Sequence, residues 1–412
     1  MKTLLRKVTI HYPGHKLNGK TVDFLLSGSK IEQIGAHIKA EKANEVKGQQ
    51  LICMPGLIDL QCTVGEPGHE YKEDLKSASA AAEAGGFKTI VMTSSTEPVI
   101  DNKAQLQFIA NHSKNLKTNI LAYGAITKGA EGKELSEMFD MHSSLAVAFS
   151  DGKRPVKDVN MMKRALEYVK NFNGLVCSFP LDERLNPGAM VHESESNTLL
   201  GIKQMPDLAE EIMLNRDLYL LEYTNSRMHV STVSCEGSVK LLSEAKRKKL
   251  NVTSGVALAN LIYTDKALQG FDSVYKVNPP LRESADRKAL IKGLKNGSID
   301  VIVTDHTPEN IENKDREFDH AAYGMTMLET ALSLINMELS QDLDWEDIAK
   351  LMSLNPRAII GMKDPKLEEG SSFDFTVFDT KVKWVYDKKT CKSKSHNSPM
   401  FGKELIGKVV EF

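Results

Sequence analysis

Two acidic residues follow apolar, strand-like stretches and are the first candidates for chemistry. Asp59 lies in "PGLIDLQ" and Asp305 lies in "SIDVIVTDHTPE". A carboxylate at the end of a buried strand can act as a general base or bind a metal ion. Its oxygens can equally well cap the backbone of the turn that follows. The sequence leaves both interpretations open until the elements that position the two carboxylates are considered.

Between residues 53 and 362, apolar stretches typical of buried strands alternate with helical patterns. The strand-like stretches include "FKTIVMTS", "KTNILAYGAI", "SLAVAFS", "NGLVCSF", "RMHVSTVS", "LNVTSG" and "SIDVIVTD". Continuous apolar strands followed by helices indicate a parallel sheet that is covered on both faces. No Gly-rich G-x-G-x-x-G turn follows the first strand, so the pattern predicts an α/β fold of the (β/α)8 TIM-barrel type. Chemistry in such a barrel sits at the C-terminal strand ends, where Asp59 and Asp305 are expected.

The two ends of the chain differ from its middle. Residues 1–52 and 363–412 both contain short stretches of alternating polar and apolar residues separated by turns, such as "KTVDFLLSGSKIEQIG" and "SSFDFTVFDTKVKWVYD". This pattern of alternating polar and apolar residues is typical of short antiparallel strands. We therefore expect a small β-sandwich domain built from both termini, next to a barrel that spans residues 53–362.

Composition excludes several classes of partner and site. The 412 residues carry 53 Lys and Arg against 55 Asp and Glu, so no broad basic field is available for nucleic acid or anionic lipid. The five cysteines contain no C-x-x-C pair, which disfavours a disulfide framework and a thiolate zinc site. No apolar stretch of membrane-spanning length and no export signal is present, so a reducing cytoplasm is the expected location.

Several blocks, in order along nearly the whole chain, resemble the dihydroorotases of the amidohydrolase superfamily. They are "MPGLID", "EPGHEYKEDLKSASAAAEAGGFKTIV", "NPPLRESADRKALIKGLKNGSIDVIVTDHTP", "EFDHAAYGMTMLETAL" and "NPRAIIG". The resemblance implies a barrel with a binuclear zinc site, held by histidines and acidic residues, that acts on the cyclic amide dihydroorotate in pyrimidine biosynthesis. Zinc would lower the pKa of its bound water from about 15.7 to about 7 and polarise the amide carbonyl.

The residues at the implied site depart from the family pattern. Where the family has D-x-H-x-H, this chain has "DLQCT", so Gln61 and Thr63 replace two metal-binding histidines. Two further histidine positions fall near Ser178 and at Thr232. Other departures are Gly65 for an arginine, Ser95 for an asparagine, Glu309 for a histidine, and "FSDGKRP" with Asp151 for a D-D-G turn. These substitutions predict that no metal is bound and that no cofactor is needed, whereas zinc would be needed by an active enzyme.

Strand alternation predicts which neighbouring side chains could rescue a metal site. If Gln61 and Thr63 face the barrel interior, Cys62 points toward the helices. The same argument places His229 on the face opposite Thr232, and Cys177 opposite Ser178. These side chains are therefore expected to be buried or helix-facing and to contribute no metal ligand.

Other residues match the family at substrate-side positions. Asp305 keeps the position of the family's catalytic base, and His306 follows it. Asn278 and Arg282, in "NPPLR", match residues that contact the substrate in the family. Both could instead hydrogen-bond the backbone around the Pro-Pro turn.

Two functions remain open. The site residues favour a non-catalytic dihydroorotase-like protein, expected to form a homo-oligomer, most simply a dimer, and to act as a partner or assembly subunit of aspartate transcarbamoylase. The alternative is an active dihydroorotase, or another cyclic-amide hydrolase, with a rearranged metal site. A small-molecule sensor is disfavoured because the arginine that grips a substrate carboxylate is absent. Fold alone cannot separate these functions.

Overall fold

The computed structural model describes residues 2–412, whose strands fall into two large sheets and one small one. The first five strands are β1 (Lys2–Ile10), β2 (Thr21–Ser27), β3 (Lys30–Gly35), β4 (Asn44–Val46) and β5 (Leu51–Pro55). The middle strands are β6 (Leu57–Cys62), β7 (Phe87–Met92), β8 (Asn119–Gly124), β9 (Ala146–Phe149), β10 (Val176–Ser178), β11 (Val191–His192), β12 (Gln204–Met205), β13 (Met228–Val230), β14 (Val252–Ala257) and β15 (Val301–Val303). The last two are β16 (Phe375–Val385) and β17 (Glu404–Val409).

Helices follow most of the middle strands. They are α1 (Leu75–Ala84), α2 (Lys103–Ser113), α3 (Met138–His142), α4 (Val159–Lys170), α5 (Glu195–Thr198), α6 (Leu208–Thr224), α7 (Glu236–Arg247), α8 (Leu258–Ile262), α9 (Ser284–Asn296), α10 (Ile311–Lys314), α11 (Ala331–Glu338), α12 (Trp345–Ala349) and α13 (Asn355–Ile360). None of the helices within residues 2–412 has the length and the apolar character that a membrane span requires.

Eight parallel strands form the barrel, in the order β6, β7, β8, β9, β10, β13, β14 and β15. The first and last of them meet through a parallel bridge between Cys62 and His306, where the Thr63 amide donates to the His306 carbonyl at 2.8 Å. The predicted TIM-type barrel is therefore confirmed.

Alternate side chains of the barrel strands pack into two separate cores. One set fills the barrel interior and includes Ile58, Leu60, Val91, Tyr123, Cys177, Val301 and Val303. The other set packs against the surrounding helices and includes Leu57, Ile90, Met92, Ile120, Val176, Met228, Val230 and Ile302. The long apolar runs in the sequence reflect this burial on both faces of the sheet.

Both chain termini build the second large sheet. Its strand order is β17, β16, β5, β1, β2 and β3, with β4 beside β1. Strand β16 pairs antiparallel with β5, from Phe375 opposite Pro55 to Asp379 opposite Leu51. The small β-domain that was expected from both termini, predicted as a sandwich, is confirmed as one sheet shared by both ends of the chain. This sheet continues to Pro55, past the predicted boundary at residue 52.

A buried arginine fixes the joint between this sheet and the barrel. Nη1 of Arg357 donates to the Gly56 carbonyl at 2.6 Å and to Ser353 Oγ at 2.5 Å, and Nη2 lies 2.8 Å from Asp374. Gly56 is the single residue between β5 and β6. The guanidinium therefore holds the point at which the chain passes from one sheet to the other.

Asp59 closes the barrel. Its Oδ1 accepts the amides of Gln61 at 3.0 Å and Thr304 at 3.3 Å, and its Oδ2 accepts the Thr304 hydroxyl. These bonds join the first barrel strand to the chain just beyond the last one. Of the two roles left open by the sequence, Asp59 has the backbone-capping one. Burial raises its pKa to about 6 even though these hydrogen bonds oppose the shift.

We expect replacement of Asp59 by Asn to remove a pH-dependent contribution to stability. Because the pKa of this carboxyl is about 6 in the folded state and about 3.9 in an unfolded chain, the folded state binds the proton more tightly between these values. The free energy of unfolding contributed by Asp59 therefore falls as pH rises through that window, by up to about 3 kcal/mol. Urea unfolding across this pH range, compared between wild type and Asp59→Asn, measures it. A difference that stays constant with pH would contradict the assignment.

Candidate functional site

An ion pair occupies the mouth of the barrel. Asp305 follows β15, is nearly fully buried and has a left-handed backbone with φ of 51°. Its Oδ2 lies 2.7 Å from Nζ of Lys153, which follows β9 on the opposite side of the mouth. The nearby Gln61 side chain also favours the ionised form of the carboxylate and lowers its pKa. Burial raises the pKa of Asp305, and the Lys153 ammonium opposes that shift.

The turn after β9 is built to present Lys153. Gly152 has φ of 66°, and a Cβ at this position would collide with Ser95 Oγ. Asp151 does not face the mouth as a free acid, because its Oδ1 accepts the Thr127 amide at 3.0 Å and its Oδ2 accepts the Thr127 hydroxyl at 2.5 Å. Asp151 therefore anchors the turn, and Gly152 allows the sharp change of direction that aims Lys153 at Asp305.

Three of the four predicted ligand positions carry neutral side chains at or near the mouth. Gln61 and Thr232 are buried and Thr63 is half-buried. The Thr232 hydroxyl has no hydrogen-bond partner within residues 2–412. An amide and two hydroxyls provide no charge to balance a divalent cation.

The fourth position, Ser178, does not face the mouth. Its Oγ donates to Asp217, a fully buried residue of α6, so the side chain points into the helix layer. The expectation that Ser178 occupies an inward-facing ligand position is therefore wrong, because alternation along β10 puts it on the same side as Val176, which packs against the helices. Cys177, which precedes Ser178, lies in the barrel core. Phe179, which follows Ser178, packs in a separate apolar cluster with Leu181 and Met205.

The neighbouring side chains that could have supplied other metal ligands are also buried and packed within the protein. Cys62 belongs to the helix-side core, as the alternation argument predicts. His229 instead lies on the interior side of β13, since Met228 and Val230 face the helices, and its Nδ1 is 2.9 Å from Thr253 Oγ1. Burial lowers the His229 pKa to about 3. His229 is therefore buried, as expected, but it faces the barrel interior instead of the helices, and its imidazole is already hydrogen-bonded there.

His306 has both ring nitrogens engaged within the protein. Nδ1 accepts the Met327 amide at 3.2 Å, and Nε2 lies 3.4 Å from Oε2 of the buried Glu73. Glu73 in turn accepts the Ser393 hydroxyl. The imidazole thus links the end of β15 to the C-terminal segment, and its predicted substrate contact stays a prediction.

Arg282 is the centre of a buried polar cluster. Its Nε donates to Ser234 Oγ at 2.8 Å, and its Nη1 lies 2.5 Å from Asp207 and 3.1 Å from His192 Nδ1. Its Nη2 lies 3.4 Å from Glu210. Although burial alone would lower it, the pKa of Arg282 is raised by these carboxylates. The guanidinium predicted to contact substrate is therefore surrounded by protein groups.

Part of this cluster has the residue types of a metal site. His192, Asp207 and Asp286 place one potential ligand atom each within 4.8 Å of one another. Burial and the neighbouring Arg282 lower the His192 pKa to about 4, so the ring is neutral at pH 7. The guanidinium already provides the positive charge among these groups, and a metal ion would have to compete with it.

Asn278 is half-buried and lines a small cavity. The cavity measures about 60 Å³, and its walls include Met205, Val277, Pro280 and Tyr323. Sites for small molecules usually enclose about 300 Å³ or more. In this structure the space beside Asn278 is therefore too small for a substrate-sized ring.

Lys153 is the site residue that the sequence prediction missed. It lies in "FSDGKRP", where the sequence singles out the acidic Asp151 as the candidate. The signal that could have identified Lys153 is a basic residue close after a predicted strand. The sequence also offered an acidic residue after another strand, Asp305, for which no counter-charge had been named. Only the barrel topology shows that these two strand ends face each other.

Solved structures with this fold include a hydantoinase and a dihydropyrimidinase. An L-hydantoinase from Arthrobacter aurescens superposes with a TM-score of 0.83 at 19% identity, covering 99% of this chain and 93% of that chain. A dihydropyrimidinase from Brevibacillus agri superposes with a TM-score of 0.78 at 20% identity, covering 100% and 93%. Identities this low show the shared fold alone.

Sequence comparison is more specific. A family model described as Dihydro-orotase-like matches residues 50–238. A dihydroorotase from Acetivibrio thermocellus is 39% identical over 404 residues, covering 96% of this chain and 95% of the relative. A dihydroorotase from Pelotomaculum thermopropionicum is 40% identical over 410 residues, covering 99% and 96%. Identity at this level along both full lengths means that the chain belongs to the dihydroorotase family.

Proposed function

We propose that this chain is a non-catalytic dihydroorotase-family protein, whose barrel and terminal sheet serve protein assembly. The observation that carries this proposal is the ion pair between Lys153 and Asp305 at 2.7 Å. It places a fixed positive charge against the carboxylate that a catalytic base or a metal ion would use.

The zinc pair implied by the family resemblance does not fit these residues. A zinc site needs about three converging ligands from His, Cys, Asp or Glu. The positions that replace the family's histidines carry neutral amide or hydroxyl groups: Gln61, Thr63, Ser178 and Thr232. A dication brought to Asp305 would also meet the Lys153 ammonium, and two positive charges repel at this range. We therefore derive no hydrolytic step through zinc.

An active cyclic-amide hydrolase is the second candidate, and the comparisons favour it. Relatives named dihydroorotase share 39% and 40% identity with this chain over nearly its full length. Such an enzyme would need a rearranged metal site. The group of His192, Asp207 and Asp286 offers the right atom types, but loading it would require Arg282 to move away from Asp207.

We propose that the barrel and the terminal sheet serve in assembly with other proteins. We infer that the chain forms a homodimer and associates with aspartate transcarbamoylase. One face of α6 supports an interaction role, because it exposes four large apolar side chains: Leu208, Ile212, Tyr219 and Tyr223. Contiguous apolar surface on a folded protein is typical of protein contacts. We assign the transcarbamoylase contact to this face.

The purified protein is expected to contain well under one zinc per chain and not to hydrolyse dihydroorotate. The reason is that neutral side chains stand at the positions of the family's histidines, together with the pairing of Asp305 to Lys153. Elemental analysis and a spectrophotometric hydrolysis assay, with and without added zinc, measure both quantities. The Acetivibrio thermocellus relative, assayed in parallel, is the positive control.

A ligand-restoring variant tests how far the site has diverged. Replacing Gln61 and Thr63 by His in one chain should not give normal activity, because Thr232, Ser178 and Lys153 remain unsuited to zinc. Normal rates in this variant, or in wild type, would establish the hydrolase instead.

Arg282 is expected to support the fold, since its guanidinium balances Asp207 and Glu210 inside the protein. The Arg282→Met variant should lose about 3–5 kcal/mol of stability, the cost of leaving buried charges unpaired. Its free energy of unfolding can be measured with urea. As a control, Arg184→Met removes an exposed arginine paired with Asp182 at 2.7 Å and should change stability by about 1 kcal/mol or less. Equal stability of the two variants would show that Arg282 is not a structural charge.

The α6 face can be tested by a paired substitution. We expect wild type to co-elute with aspartate transcarbamoylase at micromolar concentration, and the Tyr219→Ser, Tyr223→Ser double variant to bind many times more weakly. Titration calorimetry measures the affinity. The Ile311→Ser variant, at an exposed apolar residue on α10, is the matched control and should bind as wild type does. Failure of wild type to bind would remove the transcarbamoylase proposal.

A further inference from the structure

The buried carboxylate of Asp305 needs a positive partner whatever the protein does. Its side chain is buried at the barrel mouth, directly after β15, where the backbone is left-handed with φ of 51°. An ionised carboxylate taken out of water without a counter-charge is strongly destabilising. A partner cation is therefore part of what keeps this end of the barrel folded.

Two basic groups lie near Asp305. His306 is adjacent in sequence, but its ring nitrogens are engaged with the Met327 amide and with Glu73. Lys153 is the other, and its Nζ lies 2.7 Å from the carboxylate. About a fifth of the Lys153 side chain remains exposed, whereas the Asp305 side chain is buried.

The loop that carries Lys153 is shaped for this contact. Gly152 is closely packed against Ser95 Oγ and has a left-handed backbone, so a larger residue there would be strained. Asp151 fixes the start of the turn through Thr127. The lysine is thus positioned by its own loop and is not an incidental surface contact.

We propose that the Lys153 ammonium is a built-in replacement for a metal cation, acting as the permanent counter-charge of Asp305 and holding the barrel mouth in its folded form without metal. Lys153 is in this sense a positioning residue. The inference rests on the proposed non-catalytic function, and it adds a physical device that makes a metal-free mouth stable.

A double-mutant cycle tests the counter-charge. The Lys153→Met variant keeps a similar chain length but removes the charge, and its thermal unfolding midpoint should fall by about 2–4 °C or more. Adding Asp305→Asn to that variant should recover most of the loss, because the unpaired charge is then gone. Lys133→Met is the matched control, since Lys133 pairs with Glu131 at 2.9 Å on the exposed surface, and its midpoint should not change measurably. Additive losses in the double variant, or an unchanged midpoint in Lys153→Met, would overturn the proposal.

A second measurement uses the wild-type protein and does not depend on a variant folding. Amine acetylation followed by mass spectrometry should modify Lys153 at least several-fold more slowly than Lys133, because its ammonium is held against a buried carboxylate. Equal rates would overturn the pairing. The unfolding midpoint of wild type should also be the same with a chelator as with added zinc, and a midpoint lowered by the chelator would identify a metal as the counter-charge.

These readouts are separable from the proposed function. Hydrolysis of dihydroorotate by wild type, with the Lys153–Asp305 coupling intact, would reject the non-catalytic role alone. Absence of both hydrolysis and coupling would reject the counter-charge alone.

Discussion

The barrel mouth depends on one carboxylate that joins its first and last strands. Asp59 binds the Gln61 amide on its own strand and both the amide and the hydroxyl of Thr304 across the seam. Asp305 follows Thr304 directly, so the seam sets the position of the paired carboxylate. In this chain Asp59 has a structural role that needs no metal, which is a physical reason for its presence beside Gln61 and Thr63.

The architecture could be predicted from the sequence because its signals are local. Long apolar runs alternating with helical patterns arise from strands buried on both faces, and the short alternating runs at the ends arise from sheet strands with one face toward solvent. The directions of individual side chains at strand ends were harder to predict. Ser178 lies on the helix side of β10 with Val176, and there Asp217, buried on α6, accepts its hydroxyl. No pattern around residue 178 contains that carboxylate.

The sequence predicted which metal-binding histidines are replaced at the candidate site, but it did not predict which side chains contact each other there. The residues that replace the family's histidines are evident when the sequence is compared with the family motif position by position. The partner of Asp305 was not found, since Lys153 is 152 positions away along the chain and only barrel closure brings them together. Arg282 shows the same limit, because Asp207 and Glu210 come from the start of α6 and their contact with the guanidinium depends on packing. Identity with a family motif at one position therefore does not distinguish an arginine that binds substrate from one that holds a loop and a helix together.

The shared sheet also has a consequence for the newly made chain. Strand β5 is synthesised early, yet its partner β16 begins at Phe375 and pairs with Pro55. At the usual pace of translation the ribosome needs about 15–60 s to add the intervening residues. During that time one edge of an apolar strand, Leu51–Pro55, has no partner, and open strand edges promote aggregation. The barrel is therefore synthesised while this edge is open, and the nascent chain is most exposed to aggregation until β16, which begins at Phe375, has emerged from the ribosome.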